Sequence, residues 1–173
     1  MDNAGGNYKM FSDPLKYYTS MLSDIQHATD YIYLELYRFA HDPIGIRFRD
    51  MLLKKCREGV KIKILVDSWG GTASYSFFHD FVACGGEVRF FKKIKLSWDA
   101  FTKNHRRDHR KILIIDDKIS YIGSANISNY SLNWRESVFR IKGDIALKLK
   151  DIFLGNFEIY NKYYYDKLAF TQA

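Results

Sequence analysis

Residues 109–126 read His109-Arg110-Lys111-Ile112-Leu113-Ile114-Ile115-Asp116-Asp117-Lys118-Ile119-Ser120-Tyr121-Ile122-Gly123-Ser124-Ala125-Asn126. Two apolar, β-branched runs, 109–116 and 119–126, are separated only by Asp117-Lys118. Such a pair predicts a β-hairpin. With Asp117 and Lys118 as the turn, Asp116 faces Ile119, Lys111 faces Ser124, and His109 faces Asn126. Side chains alternate between the faces of a strand. His109, Lys111, Ser124 and Asn126 are therefore expected on one face, with Asp116 on the other.

Four polar side chains converging within two apolar strands suit a phosphoryl group. Lys111 supplies positive charge, and Ser124 and Asn126 supply hydrogen-bond donors for non-bridging oxygens. Within the patch, His109 is the residue able to act as nucleophile or general acid near neutral pH.

Upstream of the hairpin, the chain alternates strand and helix. Asp13-Pro14 opens a helix to about Ala28, with Asp13 as its cap and Leu15, Tyr18, Leu22 and Ile25 at helical spacing. Tyr31–Phe39 reads as a strand, Asp42-Pro43 starts a helix through Arg57 that Gly59 ends, and Lys61–Asp67 is a second strand. A glycine-containing loop at 68–73, a helix at 74–84 and a strand at Glu87–Phe91 follow. This rhythm indicates parallel strands in an α/β layer. Beyond the hairpin lie a strand at Trp134–Lys142 and a helix at about 144–163. The expected fold is α/β: a mixed β-sheet flanked by helices on both faces. Residues 1–10 are expected to form a flexible arm and 11–173 a single domain.

At 173 residues, with 47% hydrophobic and 17% aromatic content, the chain can bury a core without staples. Its net charge of +7 favours a polyanionic partner: nucleic acid, an anionic membrane surface or a phosphate-bearing substrate. Cys56 and Cys84 have neither C-x-x-C nor zinc spacing and read as small buried side chains in a reducing compartment. No apolar run approaches the roughly 20 residues that span a bilayer, and Met1–Gly6 lacks the pattern of a signal peptide. A cytoplasmic location follows as the expectation. Phe90, Phe91, Trp98 and Phe101 alternate with Lys92, Lys93, Lys95 and Lys103. That mixture suits a lipid–water boundary, single-stranded nucleic acid, or a loop folded over the core. His105 sits in a basic loop, and His27, His41 and His79 lie in or beside helices with no chemistry assigned.

His109-x-Lys111-x4-Asp116 followed by Gly123-Ser124-x-Asn126 resembles the paired motifs of the phospholipase D superfamily. Leu34–Phe39, Asp42–Gly45, Arg57–Ile62, Gly86–Phe91 and Trp134-Arg135-Glu136 extend the resemblance to the first half of bacterial cardiolipin synthases. Many such halves carry Gly-Gly where this chain has Gly123-Ser124. The resemblance implies a phospholipase D-like half-domain with ping-pong transfer. One motif histidine attacks phosphorus to form a phosphohistidine, a second protonates the leaving alcohol, and an acceptor alcohol or water releases the product. It implies that His109, Lys111, Asn126 and Glu136 are catalytic, that Ser124 binds substrate with Lys111 and Asn126, and that Asp116 is structural. Glu136 corresponds to an acid that orients a motif histidine. No metal or cofactor is implied.

A single motif is present, whereas the family mechanism uses two. The second is expected from a homodimer or from a C-terminal domain of a longer enzyme; Tyr163–Tyr165 and Leu168–Phe170 are apolar enough to pack against such a neighbour. Three readings of function follow. The first is a phosphatidyltransferase acting on anionic phospholipid, peripheral at the inner membrane surface. The second is a metal-independent, dimeric phosphodiesterase acting on nucleic acid. The third is a half-domain that binds a partner and is inactive alone.

Overall fold

The computed structural model describes residues 7–67, 72–91 and 109–159. Within them lie β1 (Tyr8–Phe11), α1 (Pro14–Gln26), β2 (Tyr31–Leu36), α2 (Pro43–Arg57) and β3 (Lys61–Asp67). A 3-10 turn at Ser76–Phe78 leads into α3 (His79–Ala83) and β4 (Glu87–Phe91). Then come β5 (Ile112–Ile115), β6 (Ile119–Gly123), a 3-10 turn at Asn129–Asn133, β7 (Val138–Lys142) and α4 (Ile145–Ile159). The strands form one sheet in the order β1-β7-β6-β5-β2-β3-β4. β2, β3 and β4 run parallel, and β5 joins β2 antiparallel, as β6, β7 and β1 join in turn.

Strand alternation sorts two cores onto the two faces. Ile32, Leu34, Ile62, Ile64 and Leu113 pack against Tyr17, Leu22, Ile25, Phe48 and Leu52 of α1 and α2. Tyr31, Tyr33, Leu65, Ile112 and Ile114 pack against Phe153 and Phe157 of α4. The mixed sheet with helices on both faces is the architecture expected from the sequence. Asp13 caps α1 by accepting the Leu15 N–H (2.9 Å), and Asp42 caps α2 by accepting the Gly45 N–H (2.9 Å). No helix of the described residues is long and apolar enough to cross a membrane. Cys56 and Cys84 are free thiols, and the Cys56 thiol points to the Cys84 carbonyl at 3.3 Å.

Several boundaries differ from the sequence reading. Residues 8–10, expected in a flexible arm, belong to β1, which covers β7; Phe11 is buried and Lys142 N–H donates to Asn7 O at 2.7 Å. Pairing there covers the edge of β7 and makes the short β1 the edge strand. The strand from Tyr31 stops at Leu36, and Phe39 pairs only with Ile127, as an isolated parallel bridge. The strand expected from Trp134 begins at Val138, and the helix expected at 74–84 is the 3-10 turn followed by the short α3.

The hairpin register is the consequential correction. The turn holds three residues, Asp116-Asp117-Lys118, with Ile115 opposite Ile119 and Lys118 N–H donating to Ile115 O at 3.0 Å. Asp116 and Asp117 both adopt left-handed conformations, at φ 53° and 54°. That geometry matches the twist of the flanking strands and is tolerated by aspartate. The register therefore shifts by one: Gly123 N–H donates to Lys111 O (3.3 Å), so Gly123 rather than Ser124 faces Lys111. Strand alternation thus separates Lys111 from Ser124. Residues 1–6, positions 68–71 of the loop expected at 68–73, most of the aromatic–lysine stretch with His105, and the C-terminal tyrosines lie outside the described residues.

Candidate functional site

The segment carrying His109 and Lys111 and the segment carrying Asn126 both meet the chain just past the end of β2. β5 and β6 meet the motif at the same end of the sheet, beside Tyr37 and Arg38, which follow the last residue of β2. The Tyr37 ring stacks on the His109 imidazole, with centroids 4.6 Å apart and planes 13° from parallel. Lys111 Nζ lies 5.6 Å from the centre of the same ring and donates to the His109 carbonyl at 2.6 Å. Arg38 N–H donates to Asn126 Oδ1 at 3.0 Å. The backbone continues the linkage, since Ile127 N–H donates to Arg38 O and Ala40 N–H to Ile127 O. One two-residue step past β2 thus touches both motif segments.

Two of these bonds set what the polar groups can offer. Asn126 has its carbonyl oxygen engaged by Arg38, which leaves its NH2 as the donating end. Ser124 Oγ accepts the Ser137 N–H at 3.1 Å, which orients its O–H as a donor. Both side chains are locked through their acceptor atoms, an arrangement that presents N–H and O–H to an anion. Lys111 and Asn126 also border a small apolar cavity of about 10 Å³ beneath the motif, together with Met21, Leu36, Gly123 and Ala125; neither His109 nor Ser124 lines it. His109 and Ser124 are exposed, and Lys111 and Asn126 are half-buried.

Asp116 sits at the turn, at the far end of β5 from Lys111. Its carboxylate accepts the N–H groups of Thr29 (2.7 Å), Asp30 (2.9 Å) and Tyr31 (2.9 Å), and the Thr29 hydroxyl (3.0 Å). Burial opposes its charge, yet the three N–H donors and the hydroxyl together hold its carboxyl below the usual carboxylate range. It fastens the loop before β2 to the hairpin. The neighbouring Asp117 accepts from the Tyr31 hydroxyl and pairs with Lys150 of α4 at 3.0 Å.

Glu136 is half-buried on the approach to β7. Among the described residues, no hydrogen bond or ion pair joins it to His109. Its charge bears on Tyr17, whose hydroxyl is pushed far above the ordinary tyrosine range, first by burial, then by Tyr18 and Glu136. His27 bonds the Ser23 carbonyl at the end of α1, His41 lies against Phe77, and His79 pairs with Asp80, all apart from the motif. Among the described residues, no three His, Cys, Asp or Glu side chains converge as metal ligands would.

Sequence reasoning missed Tyr37 and Arg38, along with Glu35, whose buried carboxylate meets Arg110 (Nη2 to Oε1, 2.9 Å). The available signal was polarity: Glu35, Tyr37 and Arg38 interrupt an otherwise apolar run.

Comparison with known proteins falls in line with this geometry. The family described as cardiolipin synthase, PLD-like domain matches residues 21–157. Cardiolipin synthase 1 of Staphylococcus epidermidis is 40% identical over 152 residues, spanning 83% of this chain and 31% of that protein. Cardiolipin synthase of Listeria welshimeri is 36% identical over 154 residues, spanning 84% of this chain and 32% of that protein. The chain thus spans about a third of the length of these curated relatives. Among solved structures, Nuc from Salmonella typhimurium, a phospholipase D family member, shares the fold with a TM-score of 0.66 at 22% identity, covering 88% of this chain and 92% of that one.

Proposed function

The chain belongs to the cardiolipin synthase, PLD-like domain family, and on that premise we propose that it forms one half of a phosphatidyl-transferring site. The observation that carries the reading is the convergence of both motif segments on Tyr37 and Arg38. A cation and an amide there offer donors beside an exposed imidazole, and Ser124 lies two residues from the amide. In the first step, one motif histidine attacks phosphorus. An N–P bond forms as the P–O bond to the leaving alcohol breaks, and the second histidine gives its proton to that oxygen. In the second step, the acceptor alcohol returns a proton to that histidine while its oxygen displaces the imidazole. His109 takes one of the two roles, and a second motif-bearing half, from another copy or from a longer polypeptide, supplies the other.

Lys111, Ser124 and Asn126 bind the non-bridging oxygens, where charge builds in the transition state. Glu136, which does not reach His109 in the isolated chain, is assigned to the far nitrogen of a motif imidazole in the assembled two-half site, where it would fix the tautomer and favour the charged form. The phosphatidyl donor is an anionic phospholipid at a membrane surface, which suits the net charge of +7. The same charge and the single motif support a second reading, metal-independent cleavage of nucleic acid by a homodimer.

The test incubates purified protein with phosphatidylglycerol vesicles and, separately, with DNA, with chelator present, alongside His109→Asn. Cardiolipin and glycerol should form with the native protein and not with the variant. DNA cleavage without lipid transfer would replace the first reading with the second. Absence of both activities from a dimeric preparation would overturn both.

A further inference from the structure

The segment bearing His109 and Lys111 runs past the end of its strand ladder. The last rung between β2 and β5 pairs Glu35 with Ile112, so His109, Arg110 and Lys111 lie ahead of the pairing with β2, and on the β6 side the Lys111 carbonyl still accepts the Gly123 N–H. On the β2 side the segment is held by side chains rather than by a ladder. Here Arg110, the middle residue of the motif, turns away from its neighbours. Lys111 borders the small apolar cavity on the side of α1, whereas Arg110 reaches the face covered by α4 and pairs with Glu35 at 2.9 Å.

Glu35 is the unusual member of that pair. Its side chain is 0% exposed, in a strand whose six residues are all buried. Asn156 of α4 brings a further donor to the same oxygen, at 3.5 Å. An ionised carboxylate in such surroundings persists when it is paired, and removing one partner is costly. Replacing both partners with apolar residues is often neutral or better for stability, so stability gives little reason for this pair. Placement gives a better one. Two residues after Glu35, Tyr37 provides the surface on which the His109 ring lies. β2 and the residue that follows it therefore fix the motif, through the Arg110–Glu35 pair and through the Tyr37 ring against the His109 imidazole.

We propose that Glu35 is a positioning residue that, acting through Arg110, holds His109 against Tyr37 and so presents the imidazole and the Lys111 ammonium to the phosphate. The proposal rests on the preceding functional reading for the reactivity of His109, but the placement itself is measurable without turnover, so the two fail separately.

A parallel aromatic ring shields the carbon-bound protons of a stacked imidazole and moves their NMR signals upfield. The difference between native protein and Tyr37→Leu in the His109 ring-proton shifts defines that displacement. Arg110→Met should lose most of it and melt at a lower temperature, because the buried Arg110–Glu35 pair is broken from one side. The double variant Glu35→Leu/Arg110→Met should regain thermal stability and still lack the displacement. Arg110→Lys, which keeps a cation, should retain part of it. In the transfer or cleavage assay, the double variant should lose about a hundredfold in kcat, the scale expected for a reacting group displaced by about an ångström. A double variant that is stable and keeps the full ring displacement overturns the proposal. If Arg110→Met does not fold, the double variant and Arg110→Lys decide the matter.

Discussion

At the residue scale, side chains here are set by which of their atoms are already engaged. Asn126 and Ser124 give up their acceptor atoms to backbone N–H groups and retain their donors. Asp116 does the opposite, collecting four donors on one carboxylate. Asp116→Asn keeps a residue that tolerates a left-handed backbone but removes the charge; it should cost about 2 kcal/mol in urea unfolding at neutral pH. Because the folded carboxyl is held below its unfolded value, this stabilisation is complete above about pH 4 and is lost as pH falls through the folded value. The gap between native protein and variant should therefore close in acid. A gap that persists unchanged at pH 2 would show that the charge is not what these donors recognise.

At the scale of elements, β6 and β7 approach so closely that only glycine fits at their junction. A Cβ placed on Gly123 would lie 2.2 Å from the Ser137 carbonyl oxygen and 2.9 Å from the Val138 Cα. Both are backbone atoms, so a strand must move. Gly123→Ala should cost about 1–3 kcal/mol by overpacking. It should also disturb Ser124, whose hydroxyl is held by Ser137. Calorimetry reads the first effect, and the amide shifts of Ser124 to Asn126 read the second. Unchanged shifts in those residues would separate the junction from the site.

At the scale of the whole molecule, the sheet is a septum between two cores, and among the described residues α4 is the helix that covers one of them. Phe153 is wholly buried there, stacked on Tyr33 at 5.0 Å and on Phe157 at 5.4 Å. Phe153→Ala should cost about 3–5 kcal/mol, measured by urea unfolding. Hydrogen exchange should accelerate first in α4 and only later in α1 and α2, which pack on the other face. The net charge of +7 is a property of the molecule as a whole. Binding to phosphatidylglycerol vesicles should weaken steadily as salt rises, because the Debye length shrinks from about 10 Å at 0.1 M to about 3 Å at 1 M. Affinity that ignores salt, in a co-sedimentation titration, would assign binding to apolar contact instead.

The amino-acid sequence by itself determined the strands, the helices with their Asp13 and Asp42 caps, the mixed sheet covered on both faces, and the residue types that converge at the motif. Those features follow from apolar periodicity and capping chemistry, which act over a few residues. Tertiary structure decided the hairpin register, because the left-handed pair Asp116-Asp117 lengthened the turn by one residue and shifted every partner beyond it. It also decided how the motif is assembled. Tyr37, Arg38 and Glu35 meet residues more than seventy positions away only because β2 lies beside β5, and strand order is fixed by packing across the sheet rather than by any local pattern.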